Sequence, residues 1–234
     1  DLLNLINAYI PYVQYAGVKS DNGFNVTANK TKSEDSHSGS AGGFIGYGSG
    51  VQVSYCDVTN LKHTTVKEPK DLEADEAPTY YDENESTYAV TGARYAGGYI
   101  GYMDIGSAAS VGKGLSVLGN SIEINHVLDA LNVVVSTIEH SNVTGNVGGF
   151  AVKATWKNTA SDASANDILG DAGGFAGKIS GGHIQDSNAN NFSYIIGQIT
   201  AGGYVGDLEP GNVANVLGDT GILGGLVDVS DTLA

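Results

Sequence analysis

The chain has 234 residues, 34 of them Gly, and carries 26 acidic against 11 basic side chains for a net charge of −15. So much Gly disfavours a long helical bundle, where each costs about 1 kcal/mol against Ala, and the pairing of these Gly lacks the strict third-residue period of collagen. A hydrophobic share of 41% is too high for a disordered acidic tail, and a single arginine, Arg94, offers no basic cluster for nucleic-acid phosphates.

In chain order, Leu2 to Val18 comes first. Leu2, Leu3, Ile6 and Ile10 have helical spacing, but the segment aligns without a gap on Val127 to Val143, which is rich in β-branched residues. Helix and strand both stand as readings there. The alignment matches Val13 with Ile138 and Val18 with Val143. A polar stretch, Lys19 to Ser40, then leads into Ala41-Gly42-Gly43-Phe44. Val51 to Tyr55 alternates as a half-buried strand does. A second polar stretch, Leu61 to Tyr95, precedes Ala96-Gly97-Gly98-Tyr99, and Ile122 to Asn125 alternates again. Val147-Gly148-Gly149-Phe150 is followed by a third polar stretch, Lys153 to Asp171. Ala172-Gly173-Gly174-Phe175, Ala201-Gly202-Gly203-Tyr204 and the aliphatic Leu223-Gly224-Gly225-Leu226 complete the series.

These copies recur at about 22–29 residues or twice that, the period of a solenoid. The expected fold is all-β: one domain over 1–234, a right-handed parallel β-helix of roughly seven or eight coils, with loop insertions near 19–40, 61–95 and 153–171. Equivalent residues of successive coils stack about 4.8 Å apart. Phe44, Tyr99, Phe150, Phe175 and Tyr204 should therefore form one aromatic ladder, extended by Leu226. The Gly pair beside each ring would allow a sharp corner with positive φ, and Gly46, Gly101, Gly177 and Gly206 a close backbone approach or a second bend. A β-sandwich with Gly in its turns explains the regular Gly-Gly-aromatic column less well. Asp1 is no start methionine, and neither a leader, an 18-residue apolar run nor an anchor motif is seen. The chain is thus expected to be a monomeric fragment of a longer tandem-repeat protein, without membrane insertion of this part.

The stretches GGFIG ending at Gly46, GGYIG at Gly101, GGFAG at Gly177 and GGYVG at Gly206 resemble the GLUG-type repeats of large Gram-positive surface and secreted proteins. The resemblance covers most of residues 41–228. It implies a β-helical region of an adhesin or stalk, extracellular and held at the bacterial cell wall through regions outside this fragment.

Stacked coils should send the three polar stretches out at a similar corner, making one composite surface. The middle stretch carries eight acidic side chains between Glu68 and Glu85, with Tyr80, Tyr81 and Tyr88 in or beside them. Tyr combines contact area with a polar tip, so Tyr80, Tyr81, Asp82, Glu83, Glu85 and Tyr88 are binding candidates; the alternative is a solvated loop. Trp156 is a further anchor or a core residue. The class of partner expected is a host protein or glycoprotein, immunoglobulins and matrix proteins included.

No cofactor is expected. Asp21-Asn22-Gly23 and Asp219-Thr220-Gly221 offer Ca²⁺ oxygen ligands but lack the spacing of calcium-binding loops, and plain turns explain them better. His37, His63, His126, His140 and His183 are scattered, and His140 and His183 read as turn or face residues. Cys56 reads as a small buried hydrophobe. A carbohydrate-active enzyme on this fold would need carboxyls or a base beside basic groups, and Arg94 is the sole arginine, with no Lys at the matching position of a neighbouring coil. The chain is expected not to be an enzyme, with a structural stalk as the alternative to binding.

Overall fold

In a computed structural model of the chain, the described residues are 10–29, 37–62, 87–106, 135–155 and 170–211. All of their regular structure is β. The first coil comprises β1 (Tyr12–Gln14), β2 (Gly17–Phe24), β3 (Val26–Ala28), β4 (Ser40–Gly42) and β5 (Ile45–Ser49). The second comprises β6 (Gln52–Ser54), β7 (Asp57–Leu61), β8 (Val90–Gly92), β9 (Tyr95–Gly97) and β10 (Ile100–Asp104). The third runs through β11 (Thr137–Glu139), β12 (Asn142–Gly145), β13 (Phe150–Ala154), β14 (Asp171–Gly173) and β15 (Ala176–Ser180). The fourth runs through β16 (His183–Gln185), β17 (Asn188–Asn190), β18 (Phe192–Ile196), β19 (Ala201–Gly202) and β20 (Val205–Glu209).

Each coil gives one strand to each of five parallel four-stranded sheets, numbered 1 to 5 in chain order, and every sheet stacks the coils in the same sequence. This is a parallel β-helix. The register aligns one inward column per sheet. These are Val13, Val53, Ile138 and Ile184 in sheet 1, and Val18, Val58, Val143 and Ala189 in sheet 2. Val26, Val90, Val152 and Ile195 follow in sheet 3, and Ala41, Ala96, Ala172 and Ala201 in sheet 4. Ile45, Ile100, Ala176 and Val205 close the ring in sheet 5. The middle rungs are fully buried, each large side chain contributing about 1.5–3 kcal/mol of apolar burial. The gapless match of Val13 with Ile138 and Val18 with Val143 is thus a true column, with a second-coil residue between each pair.

Sheets 1 and 2 meet at a corner written by a recurring hexapeptide: Val13-Gln14-Tyr15-Ala16-Gly17-Val18, Val53-Ser54-Tyr55-Cys56-Asp57-Val58, Ile138-Glu139-His140-Ser141-Asn142-Val143 and Ile184-Gln185-Asp186-Ser187-Asn188-Ala189. Its third residue has φ of 54°, 54°, 48° and 47° in the four coils. That left-handed residue turns the chain so that both flanking aliphatics face inward. The small fourth residue sits inside the corner: Cys56 and Ser141 are fully buried, and the Cys56 amide donates to Ser141 Oγ at 3.1 Å.

Phe44, Tyr99, Phe175 and Tyr204 form the expected ladder at the corner of sheets 4 and 5, with ring centroids 5.2, 4.7 and 5.0 Å apart. Tyr99 Oη donates to the Cys56 carbonyl across the core at 2.9 Å. Phe150 is a correction. It opens β13 in sheet 3, pairs with Phe192 and packs edge-on to it at 6.1 Å, while Gly148 and Gly149 take the positive φ of a turn. The other described copies, at 42–43, 97–98, 173–174 and 202–203, do not. A Cβ on Gly98 would collide with the Gly174 carbonyl, and one on Gly177 would lie 2.6 Å from the Ala96 amide. These Gly serve the close approach of one coil to the next, as expected for Gly101 and Gly177 but not for the pairs.

Four coils are described, against the seven or eight expected. The long Gly-Gly intervals hold insertions and not second coils, since Ala41 pairs directly with Ala96 and Ala96 with Ala172. Leu226 lies outside the described residues, as do Ile122 to Asn125 and most of the segments with helical spacing. The loops also shift. β2 and β3 occupy much of 19–40, and strand resumes at Val90 inside 61–95. The interruptions after Ala28 and Ala154 both join sheet 3 to sheet 4, whereas the one after Leu61 joins sheet 2 to sheet 3. They do not share one corner. A fourth interruption, between Asp104 and Thr137, joins sheet 5 to sheet 1.

Candidate binding surfaces

Of the residues singled out by sequence, Tyr80, Tyr81, Asp82, Glu83, Glu85 and Trp156 lie outside the described residues. Tyr88 is described and half-buried, with Lys153 Nζ 5.0 Å from its ring centroid. It lies two residues before β8, at the C-terminal end of the acidic stretch. Asp21 to Gly23 fall within β2, where Ser20 Oγ donates to the Gly23 carbonyl at 3.2 Å and Gly23 has φ of 74°. That is a local turn inside a strand with a register shift. No group of three or more His, Cys, Asp or Glu able to hold a metal occurs among the described residues.

The structure instead assembles two outer surfaces that the sequence reading did not single out. The first follows the left-handed corner. Tyr15 and Tyr55 stack at 5.1 Å, Tyr55 and His140 at 4.7 Å, and His140 Nδ1 lies 3.8 Å from Asp186 Oδ2. Tyr15 and Tyr55 are exposed. Left-handed φ costs a residue with a Cβ about 1–2 kcal/mol, and ring stacking returns about 0.5–1.5 kcal/mol per pair. Beside this ladder a polar one runs along sheet 2. The Asn142 amide and Nδ2 donate to Asp57 Oδ1 at 2.8 and 3.1 Å, and those of Asn188 donate to Asn142 Oδ1 at 3.1 and 3.2 Å. His183 lies on the outer face of sheet 1, and His140 in the corner, the positions expected for turn and face residues.

The second surface covers sheets 4 and 5. Tyr47, Tyr102, Lys178 and Asp207 form one outward column. His37 stacks on Tyr47 at 4.3 Å, Tyr47 meets Tyr102 at 5.3 Å, and Tyr102 meets Tyr95 at 4.9 Å. Lys178 Nζ sits 5.8 Å from the Tyr95 ring centroid and 2.8 and 2.9 Å from Asp207 Oδ2 and Glu209 Oε2. Burial works against the Lys178 charge, but its bonds to Asp207 and Glu209 outweigh this and hold its pKa above the ordinary lysine value. A lysine so held is a charge anchor and no nucleophile. Burial also raises the pKa of Tyr95, Tyr102 and Asp171, the last against a hydrogen bond from Thr200 Oγ1 at 2.7 Å. The signal for both surfaces was present as outward positions at matching register, invisible until the coil boundaries were known.

Compared with protein-family models, curated proteins and solved structures, the chain finds no match in any of the three. No helix among the described residues is long and apolar enough to cross a membrane.

Proposed function

We propose that this chain is a non-catalytic binding module of a bacterial cell-surface protein, related to the GLUG-type repeat regions and acting as an adhesin. Its partner is a host protein or glycoprotein, with immunoglobulins and matrix proteins as the classes to test. The observation that carries this reading is where the chain leaves the coils. All four interruptions fall at corners between sheets, and none splits a strand. A rigid scaffold whose variable segments emerge at its corners is the arrangement by which loops carry recognition. The acidic, Tyr-bearing segment between Leu61 and Tyr88 is the binding element, tethered by the Lys153 contact to Tyr88.

The test is capture from host secretions by the intact chain and by a variant lacking residues 67–86 but keeping Tyr88. Binding of an identified host protein that the deletion abolishes, with the coils still folded by circular dichroism, supports the reading. If the intact chain captures nothing, the structural stalk takes its place. That second reading is favoured by four coils stacked in the same order in all five sheets, the geometry of a rigid spacer. Release of reducing sugars from polysaccharides would overturn both.

A further inference from the structure

Two exposed tyrosines of the left-handed corner are held in contact by the backbone that carries them. Tyr15 and Tyr55 fill the same position of the hexapeptide in the first and second coils, both with φ of 54°. The Tyr15 amide donates to the Ser54 carbonyl at 3.2 Å, and the Tyr55 amide to the Glu139 carbonyl at 3.1 Å. On either side Val13 pairs with Val53 and Val18 with Val58, in register. The two side chains therefore leave the chain in the same direction, one coil apart. Their rings lie nearly parallel, at 18°, with centroids 5.1 Å apart. Tyr15 is 75% exposed and Tyr55 47%.

The other tyrosine contacts differ. Tyr47 meets Tyr102 at 43° and Tyr102 meets Tyr95 at 46°, and both Tyr102 and Tyr95 are buried. Burial raises the pKa of these two phenols, so neither gives up its proton readily. The rings stacked beside Tyr99 and Tyr204 belong to phenylalanines. Tyr12 is exposed but faces Gln52 in the register of sheet 1. Among the described residues, Tyr15 and Tyr55 are thus the one pair of contacting phenols that are both exposed.

We propose that Tyr15 and Tyr55 form an oxidative cross-linking site, where hydrogen peroxide and a haem peroxidase join the first coil to the second through a dityrosine bond. Each phenol gives one electron and its hydroxyl proton to the peroxidase, while the O–O bond of one peroxide breaks to leave two waters. The resulting phenoxyl radicals carry spin density on the ring carbons next to the oxygen. One such carbon of Tyr15 bonds to one of Tyr55. The hydrogen on each bonded carbon then moves as a proton to the phenol oxygen, which restores both aromatic rings. Radicals already in contact couple within one chain faster than two chains can meet. On its other face Tyr55 meets His140 at 4.7 Å, and an imidazole supplies no phenoxyl, so coupling is directed to Tyr15. The inference is independent of the adhesin reading.

The experiment treats the full chain with a haem peroxidase and limiting hydrogen peroxide over a protein concentration series, followed by proteolysis and mass spectrometry. A linked pair of peptides containing Tyr15 and Tyr55 should appear, lighter than the sum of its parts by two hydrogen atoms, in a product of single-chain mass. Its fraction should not change with protein concentration. Tyr15→Phe and Tyr55→Phe each keep a ring in the stack, so both should stay folded by circular dichroism and lose this pair. Unfolding the wild type in urea before treatment should also remove it, because the contact is then gone. Absence of the pair from the treated wild type overturns the proposal. So do links found solely between chains or between other tyrosines, or a Tyr15–Tyr55 link that forms equally well in urea.

Discussion

The Gly pairs make a residue-scale distinction that can be measured. If they served a positive-φ turn, every copy would resist Ala alike. The described pairs other than Gly148-Gly149 serve contact between coils, so the cost depends on what lies on the next coil. Gly98 faces the Gly174 carbonyl, which is backbone and cannot swing away, whereas a Cβ on Gly203 would find only Phe192 at 3.8 Å. Gly98→Ala should destabilise by about 3 kcal/mol or more, and Gly203→Ala by less than about 0.5 kcal/mol, read from urea midpoints. The ladder tyrosines make a second distinction. Burial pushes the Tyr204 phenol from 10.0 to about 12 and raises Tyr99 further. The unfolded chain ionises first, so this contribution is complete below pH 10 and is lost as pH rises towards 12. Stability should fall across that window, and Tyr204→Phe should make the fall shallower; an equal slope in wild type and variant would refute the burial of this phenol.

At the scale of the element, the corner of sheets 1 and 2 depends on a residue in left-handed conformation whose ring stacks on its neighbours. Tyr55 has two such stacks, with Tyr15 and His140. Tyr55→Ala removes both and keeps the strained φ, and should cost about 1–3 kcal/mol. Tyr55→Gly loses the same stacks but relieves the strain, and should be the more stable of the two by about 1 kcal/mol. If Gly is the worse substitution in thermal melts, the corner is not held this way. The ladder of Phe44, Tyr99, Phe175 and Tyr204 was legible because an aromatic beside two Gly is a rare local pattern. Phe150 carries the same local pattern but belongs to sheet 3, and only its positive-φ Gly set it apart. The hexapeptide corner was half legible. Its two aliphatics matched between Val13 and Ile138, but its left-handed position is filled by Tyr, His or Asp, so identity hides the equivalence that geometry shows. Loop ends failed for a related reason: Lys19 to Asn22 look polar, yet strand faces turned to solvent are polar too.

At the scale of the molecule, the parallel coil architecture followed from periodicity, but the number of coils did not, because an insertion and a second coil add residues in the same way. The acidic candidates stayed outside the described residues, while the aromatic and charged columns emerged only from register. The uneven insertions carry one more consequence, for the order in which the molecule assembles. Cys56 and Ser141 bond across 85 residues of chain, Ser141 and Ser187 across 46, and Asp171 and Thr200 across 29. Closing a longer loop costs more entropy before any contact rewards it. The third and fourth coils, 29 residues apart in sheet 4, are therefore the cheapest pair to bring together; the first and second meet across 40 residues in sheet 2, and the second and third, across 85, come last. In pulse-labelled hydrogen exchange during refolding, β14 and β19 should gain protection before β6 and β11. Simultaneous protection would mean that the spacing of the coils along the chain leaves no trace in the route by which they meet.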